Sequence, residues 1–69
     1  MKYIEQLTHN HKTLICFVES DDKDKAYVSY FIDGIEITDF SKLLSIYQKL
    51  FDVLRSSIVA ENNLQLWSF

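Results

Sequence analysis

The sequence predicts an α+β fold in one domain, residues 1–69: a three- to four-stranded antiparallel β-meander packed against one long C-terminal helix. The first observation behind this is Asp33-Gly34, a turn pair that lies between apolar runs and contains the only glycine. Such a pair is typical of a β-hairpin, because a type I′ turn needs positive φ at both central positions. The second is a stripe of apolar residues at helical spacing that begins at Phe40.

The first half of the chain contains two strand-like segments joined by a polar turn. Lys2–Thr8 is predicted as a strand with Tyr3 and Leu7 on one face and Ile4 on the other, although the spacing of Tyr3 and Leu7 also fits a helix. His9–His11 is predicted as a turn. Lys12–Glu19 is almost continuously apolar, which is typical either of a strand covered on both faces or of a central strand with one exposed, association-prone apolar face.

The next hairpin follows a polar turn at Ser20–Asp24. Lys25–Ile32 is predicted as one strand and Ile35–Thr38 as its partner after the turn. Because strand side chains alternate between faces, the hairpin has two distinct faces. The face expected to receive the helix consists of Val28, Tyr30, Ile32, Ile35 and Ile37. The opposite face is expected to show Tyr27, Phe31 and Glu36.

The helix is predicted to begin after a cap at Thr38 or Asp39 and to run to about Glu61, with Asn62-Asn63 as a left-handed stop. Its apolar stripe consists of Phe40, Leu43, Leu44, Tyr47, Leu50, Phe51, Leu54 and Ile58, widened by Ile46 and Val53. Burial of the eight stripe residues would contribute roughly 12–24 kcal/mol. The final segment, Leu64–Phe69, is expected to fold back on the core or to dock on another molecule.

Composition and charge restrict the classes of function. The single cysteine, Cys16, excludes an internal disulfide, and no apolar run is long enough to span a membrane, so we expect a soluble cytoplasmic protein. The net charge is −3, but residues 19–39 alone contain seven acidic and two basic side chains, a net charge of −5. Such a surface disfavours direct nucleic-acid binding and suits a protein partner with a basic surface.

No group of residues predicts catalysis, a cofactor or a metal site, and we expect a non-enzymatic protein. Cys16 lies in an apolar strand, where the thiolate is disfavoured. His9 and His11 fit no established zinc spacing, and the Asp21–Asp24 cluster lacks the glycine and the closing glutamate of a calcium loop. One further hypothesis is a metal-dependent enzyme that uses the two histidines; bound metal would support it.

A contact surface for a protein partner is the remaining prediction. Aromatic side chains beside acidic ones supply contact area and steer a basic partner. The candidate partner-binding residues are Glu19, Asp21, Asp22, Asp24, Tyr27, Phe31 and Glu36. The alternative is that the two rings are ordinary cross-strand neighbours without a partner.

The order of elements resembles that of a type I-F anti-CRISPR family of small phage proteins over roughly residues 1–55. The matching residues are Met1-Lys2-Tyr3-Ile4, Leu7, Val18, Lys25, Ala26, Val28, Gly34 and Asp39-Phe40. The resemblance implies an inhibitor that binds the Cas backbone subunits of a CRISPR surveillance complex and blocks target DNA pairing. The contact tyrosines and glutamate of the family fall here on Gln6, near Glu19 and on Ser29, so the resemblance covers the scaffold and not the contact residues.

A second class of function is a self-associating structural or regulatory module. In this alternative the surplus aromatic residues and the Leu64–Phe69 segment form the interface of a homodimer. The high apolar share, 48% of a 69-residue chain, favours some such additional contact, because a domain of this size buries only about 60% of its unfolded surface.

Overall fold

The structure is a computed structural model that describes residues 1–20 and 26–64. Within these ranges the chain forms four strands, one 3₁₀ turn and one α-helix. In chain order they are β1 (Lys2–His9), β2 (Lys12–Ser20), β3 (Ala26–Ile32), β4 (Ile35–Glu36), the 3₁₀ turn Phe40–Lys42 and α1 (Ser45–Asn62).

The four strands form one antiparallel sheet in the order β1-β2-β3-β4, with α1 packed against one face. This confirms the predicted α+β meander with the N-terminal segment as its fourth strand. The helical alternative for the first segment is wrong, because all eight residues of β1 pair with β2.

Two-residue turns with positive φ connect β1 to β2 and β3 to β4. Asp33 and Gly34 have φ values of 50° and 81°, as the type I′ prediction requires. Asn10 and His11 adopt 50° and 65°, so the first polar turn has the same form without a glycine. Asp33 has an additional role: its Oδ1 accepts a hydrogen bond from the Thr13 backbone N–H at 2.9 Å, which fastens the second turn to β2.

The centre of the core lies between β2 and α1. Leu14, Cys16 and Val18 of β2 have no exposed surface, and they pack with the buried face of α1. The buried helix residues are Phe51, Leu54 and Ile58. The ring of Tyr30 on β3 extends this core, with its centroid 4.9 Å from that of Phe51 and 4.7 Å from that of Phe40.

The helix lies over β1 and β2, so only part of the surface predicted to face it does so. Val28, Tyr30 and Ile32 pack against the core as expected. Ile35 does not: it is 71% exposed, because β4 is only two residues long and lies at the edge of the sheet farthest from β1.

The predicted continuous helix from Asp39 is wrong at its N-terminal end. Asp39 does act as a cap, but of the short 3₁₀ turn, where its Oδ1 accepts from the Ser41 N–H. Leu43 and Leu44 then have extended backbone with ψ near 150°, and α1 begins only at Ser45. Leu44 therefore leaves the apolar stripe and is 69% exposed.

The helix ends where the sequence predicts. Asn63 adopts the left-handed conformation, with φ 53°, immediately after the last helical residue. Leu64 then turns back and packs against the core. The rest of the C-terminal segment, residues 65–69, lies outside the described residues. No helix in the described part of the chain is long and apolar enough to cross a bilayer.

Candidate partner-binding surface

The sheet has a second face, opposite α1, that consists of the alternate residues of each strand; we call it the open face. The strand register places its side chains in rows across the sheet. Three consecutive rows contain Lys2, Glu19 and Tyr27; then Ile4, Phe17 and Ser29; then Gln6, Ile15, Phe31 and Glu36; Thr8 and Thr13 follow at the far end.

The middle of the open face is apolar. Ile4 and Tyr27 are 59% and 60% exposed, and Ile15, Phe17 and Phe31 are half-buried. Among the described residues, the partly buried side chains that pack against the core all belong to other positions. The five side chains therefore form a contiguous apolar surface that the helix does not cover.

Acidic side chains flank this apolar surface. Glu19 lies opposite Tyr27 on the neighbouring strand, and Glu36 lies opposite Phe31. Both carboxylates belong to exposed residues. One basic group is present at the same end as Glu19, where Lys2 Nζ lies 6.0 Å from the centroid of the Phe17 ring.

The structure thus places Glu19, Tyr27, Phe31 and Glu36 on one face, as two cross-strand pairs. The other predicted contact residues, Asp21, Asp22 and Asp24, lie outside the described residues.

Three apolar residues of the open face were absent from the predicted site: Ile4, Ile15 and Phe17. The last two lie in the continuous apolar run of β2, where a pattern without polar residues does not indicate which side chains point away from the core. Side chains alternate between the two faces along a strand, and directly paired residues share a face. Applied from β3 to its neighbour β2, this rule would have placed Ile15 and Phe17 on the same face as Phe31 and Ser29.

Gln6 and Ser29, which are not apolar, occupy neighbouring rows of the open face, and Glu19 occupies the row at its end.

Cys16 is a core residue on the opposite face. Burial raises the pKa of its thiol to about 11, while the Arg55 guanidinium acts in the opposite direction. Burial likewise raises the pKa of Tyr30, whose hydroxyl accepts a 3.4 Å hydrogen bond from Arg55 Nη1. At neutral pH the thiol is therefore protonated and a weak nucleophile.

The two histidines are separated by the first turn. His9 belongs to β1, with its ring edge-to-face against Tyr47 of α1 at 6.0 Å, whereas His11 lies exposed in the turn. Within residues 1–20 and 26–64, no three His, Cys, Asp or Glu side chains lie close enough together to hold a metal ion.

No protein-family model, curated protein or solved structure matches this chain.

Proposed function

We propose that this protein is a non-enzymatic inhibitor that binds a protein partner through the open face of its sheet. The observation that carries the proposal is the contiguous apolar surface around Phe17 and Tyr27, flanked by Glu19 and Glu36. Contiguous exposed apolar patches on small soluble proteins mark interaction sites. A patch with aromatic residues at its centre and charges at its rim has the composition of a protein–protein interface.

The charge of the molecule favours a basic partner. The segment 19–39, which includes Glu19, Tyr27, Phe31 and Glu36 of this face, carries a net charge of −5 in the sequence. Acidic groups around an apolar patch raise the association rate with a basic surface and disfavour nucleic acid as a direct ligand. Proteins that handle nucleic acids present such basic surfaces.

The resemblance to type I-F anti-CRISPR proteins nominates a particular partner, the backbone subunits of the CRISPR surveillance complex. The support is positional, because Gln6 and Ser29, on which two contact positions of that family fall, share the open face. In this proposal the bound protein occupies a basic nucleic-acid channel and so blocks pairing with target DNA.

The direct test uses a purified type I-F surveillance complex and fluorescent target DNA. We expect the wild-type protein to reduce DNA binding in a concentration-dependent way, as measured by fluorescence anisotropy. The double variant Tyr27→Ala with Glu36→Lys should raise the half-inhibitory concentration at least about tenfold, a loss of roughly 1.4 kcal/mol. The matched control is Lys49→Glu, an exposed charge change on the helix, which should inhibit as the wild type does.

The outcomes separate the partner from the surface. No inhibition by wild-type protein would reject this surveillance complex as the partner. Equal inhibition by the wild type and the double variant would reject the open face as the binding surface.

The electrostatic part has its own test. Reversing the charges of Asp21, Asp22 and Asp24 should weaken binding, mainly through a slower association rate that depends on salt. An unchanged association rate at low salt would contradict a role for these carboxylates.

A further inference from the structure

The two edges of the sheet differ in a way that bears on association. β4, at one edge, has only two residues. β1, at the other, has eight, and each pairs with one residue of β2 without a bulge. Exposed edge strands are ordinarily protected by shortness, bulges, proline or charge, because their unpaired backbone groups bind other strands. β4 has the first kind of protection; β1 lacks the first three.

The free backbone groups of β1 can be assigned from its hydrogen bonds. Met1 and Ser20 exchange both backbone bonds, at 2.8 and 2.9 Å. Bonded and non-bonded pairs alternate along an antiparallel ladder, so Tyr3, Glu5 and the later odd-numbered residues bond to β2. The groups of Lys2, Ile4, Gln6 and Thr8 therefore point away from the sheet, and no other described strand pairs with them.

A second row of side chains lies on the flank of the helix, and the core uses it only in part. Ile46, Leu50, Val53 and Ser57 recur at spacings of four, three and four, the pattern of a helix–helix seam. Of these, Leu50 also packs against the core and Ser57 is polar. Each lies one position before a member of the row that faces the sheet: Tyr47, Phe51, Leu54 and Ile58. Ile46 and Val53 are 44% and 62% exposed.

This second row lies toward β1. Arg55 reaches Tyr30 on β3, which identifies the flank of α1 that faces β3. At 100° per residue, Val53 and Ile46 lie about 160–180° around the helix from Arg55. Because the helix lies over β1 and β2, their flank is the one beside the free edge of the sheet.

We propose that a second copy of this chain binds at this edge. The two β1 strands pair antiparallel about a two-fold axis and join the four-stranded sheets into one. The two α1 helices then lie side by side on the same face. Strands are spaced about 4.8 Å apart, so helices centred over β1 and β2 come within about 10 Å, the separation of packed helices.

The side chains of β1 favour a register with the two-fold axis at Ile4 over one with the axis at Glu5. With the axis at Ile4, this residue lies opposite its own copy, Lys2 lies opposite Gln6 of the second copy, and Tyr3 lies opposite Glu5. No like charges face each other. With the axis at Glu5, two carboxylates would lie directly opposite, which is destabilising. The axis at Ile4 also passes near the middle of the helix. Phe51, close to the centre of α1, contacts Tyr30, and Tyr30 lies in the cross-strand row of Glu5, next to that of Ile4.

Cysteine cross-linking tests this register. In the proposed pair the Cα atoms of the two Ile4 residues are about 5.5 Å apart, within disulfide range, whereas those of the two Gln6 residues are roughly 14 Å apart. Ile4→Cys should therefore form a covalent dimer on mild oxidation at least about tenfold faster than Gln6→Cys. Cys16 is fully buried and leaves the assay unaffected. Equal rates for the two variants would overturn the proposal.

Sedimentation equilibrium tests the helix contact with matched substitutions. Wild-type protein should show a monomer–dimer equilibrium. Val53→Glu should weaken dimerisation at least about tenfold, and Ser56→Glu, on the outward side of the same helix, should not. A wild-type monomer at every concentration, or equal effects of the two substitutions, would overturn the proposal. The open-face variant Tyr27→Ala should still dimerise, so this interface and the proposed inhibitor surface fail independently.

Discussion

The two faces of the sheet are built from the same strands and have opposite environments. On β2, Leu14, Cys16 and Val18 have no exposed surface, whereas their neighbours Ile15 and Phe17 are only half-buried. The difference arises because one helix can cover one face of a four-stranded sheet. A strand that is apolar on both sides therefore supplies stability through one set of side chains and leaves the other set on the face for which we propose binding.

The comparison also accounts for the high apolar share of the sequence. The covered face, which includes the ring of Tyr30, packs against α1, and this packing requires most of the helix stripe. The open face retains Ile4 and Tyr27 at about 60% exposure. Apolar residues on that face are not part of the described core, which is why we propose that they bind a partner.

The largest expected effect is on the covered face. Phe51→Ala should lower the free energy of unfolding by about 3–5 kcal/mol, because it removes a fully buried ring from the junction of helix and sheet. Urea denaturation at fixed pH measures the change. A cost below about 1 kcal/mol would mean that the helix is not held by this face.

The second prediction contrasts adjacent residues of β2. Leu14→Ala should cost about 2–5 kcal/mol, because its side chain has no exposed surface. Ile15→Ala, on the half-buried open face, should cost at least about 1 kcal/mol less. The same denaturation assay compares the two variants. Equal costs would contradict the distinction between the faces.

The third prediction concerns the pH dependence of the covered face. Burial raises the pKa of Cys16 from 9.0 to about 11, so folding favours the protonated thiol. Its stabilising contribution is fully present below pH 9 and is lost as the pH rises toward 11, at most about 3 kcal/mol. Urea denaturation across this range should show a smaller decline for Cys16→Ala, in which only Tyr30 and the remaining groups titrate. An unchanged slope would exclude the thiol as a cause.

The smallest effect is expected at the turn that sets which residues belong to each face. Gly34 has a φ of 81°, and a β-carbon at this position would meet no other atom within 4 Å, so the cost of substitution is conformational. Gly34→Val should destabilise by more than about 1 kcal/mol, and Gly34→Asn by less, because asparagine tolerates this region. Thermal denaturation of both variants measures the difference in stability, and Gly34→Val should have the lower melting temperature. Equal melting temperatures would mean that the turn changes its conformation.

The sequence predicts the elements that depend on local chemistry. The Asp33-Gly34 turn and the Asn63 helix stop follow from the few residues that tolerate positive φ. The faces of β3 follow from the alternation of Tyr27 and Phe31 with Val28 and Tyr30. Each signal lies within a short stretch of chain, and the structure confirms each one.

The arrangement of the elements relative to one another was less predictable. The break at Leu43-Leu44 interrupts a stripe whose spacing fits a continuous helix, because Asp39 caps a separate 3₁₀ turn. The exposure of Ile35 depends on where the helix lies across the sheet. Neither depends on a short-range pattern, so periodicity alone does not reveal them.

The candidate surface was predictable only in part. Tyr27, Phe31 and Glu36 were assigned to the open face by elimination from the hairpin, and the register places them there. Ile15 and Phe17 were not assigned, because an uninterrupted apolar run gives no contrast between its two faces. The partner-binding role of all these residues stays a prediction.

The central claim is that the open face binds a protein partner while the covered face maintains the fold. Affinity capture from bacterial lysate, compared by quantitative mass spectrometry, tests it with three immobilised proteins: wild type, Tyr27→Lys and Lys49→Glu. The account predicts a protein that the wild type and Lys49→Glu retain and that Tyr27→Lys loses, with all three baits equally folded. Recovery of the same proteins by all three baits would contradict it.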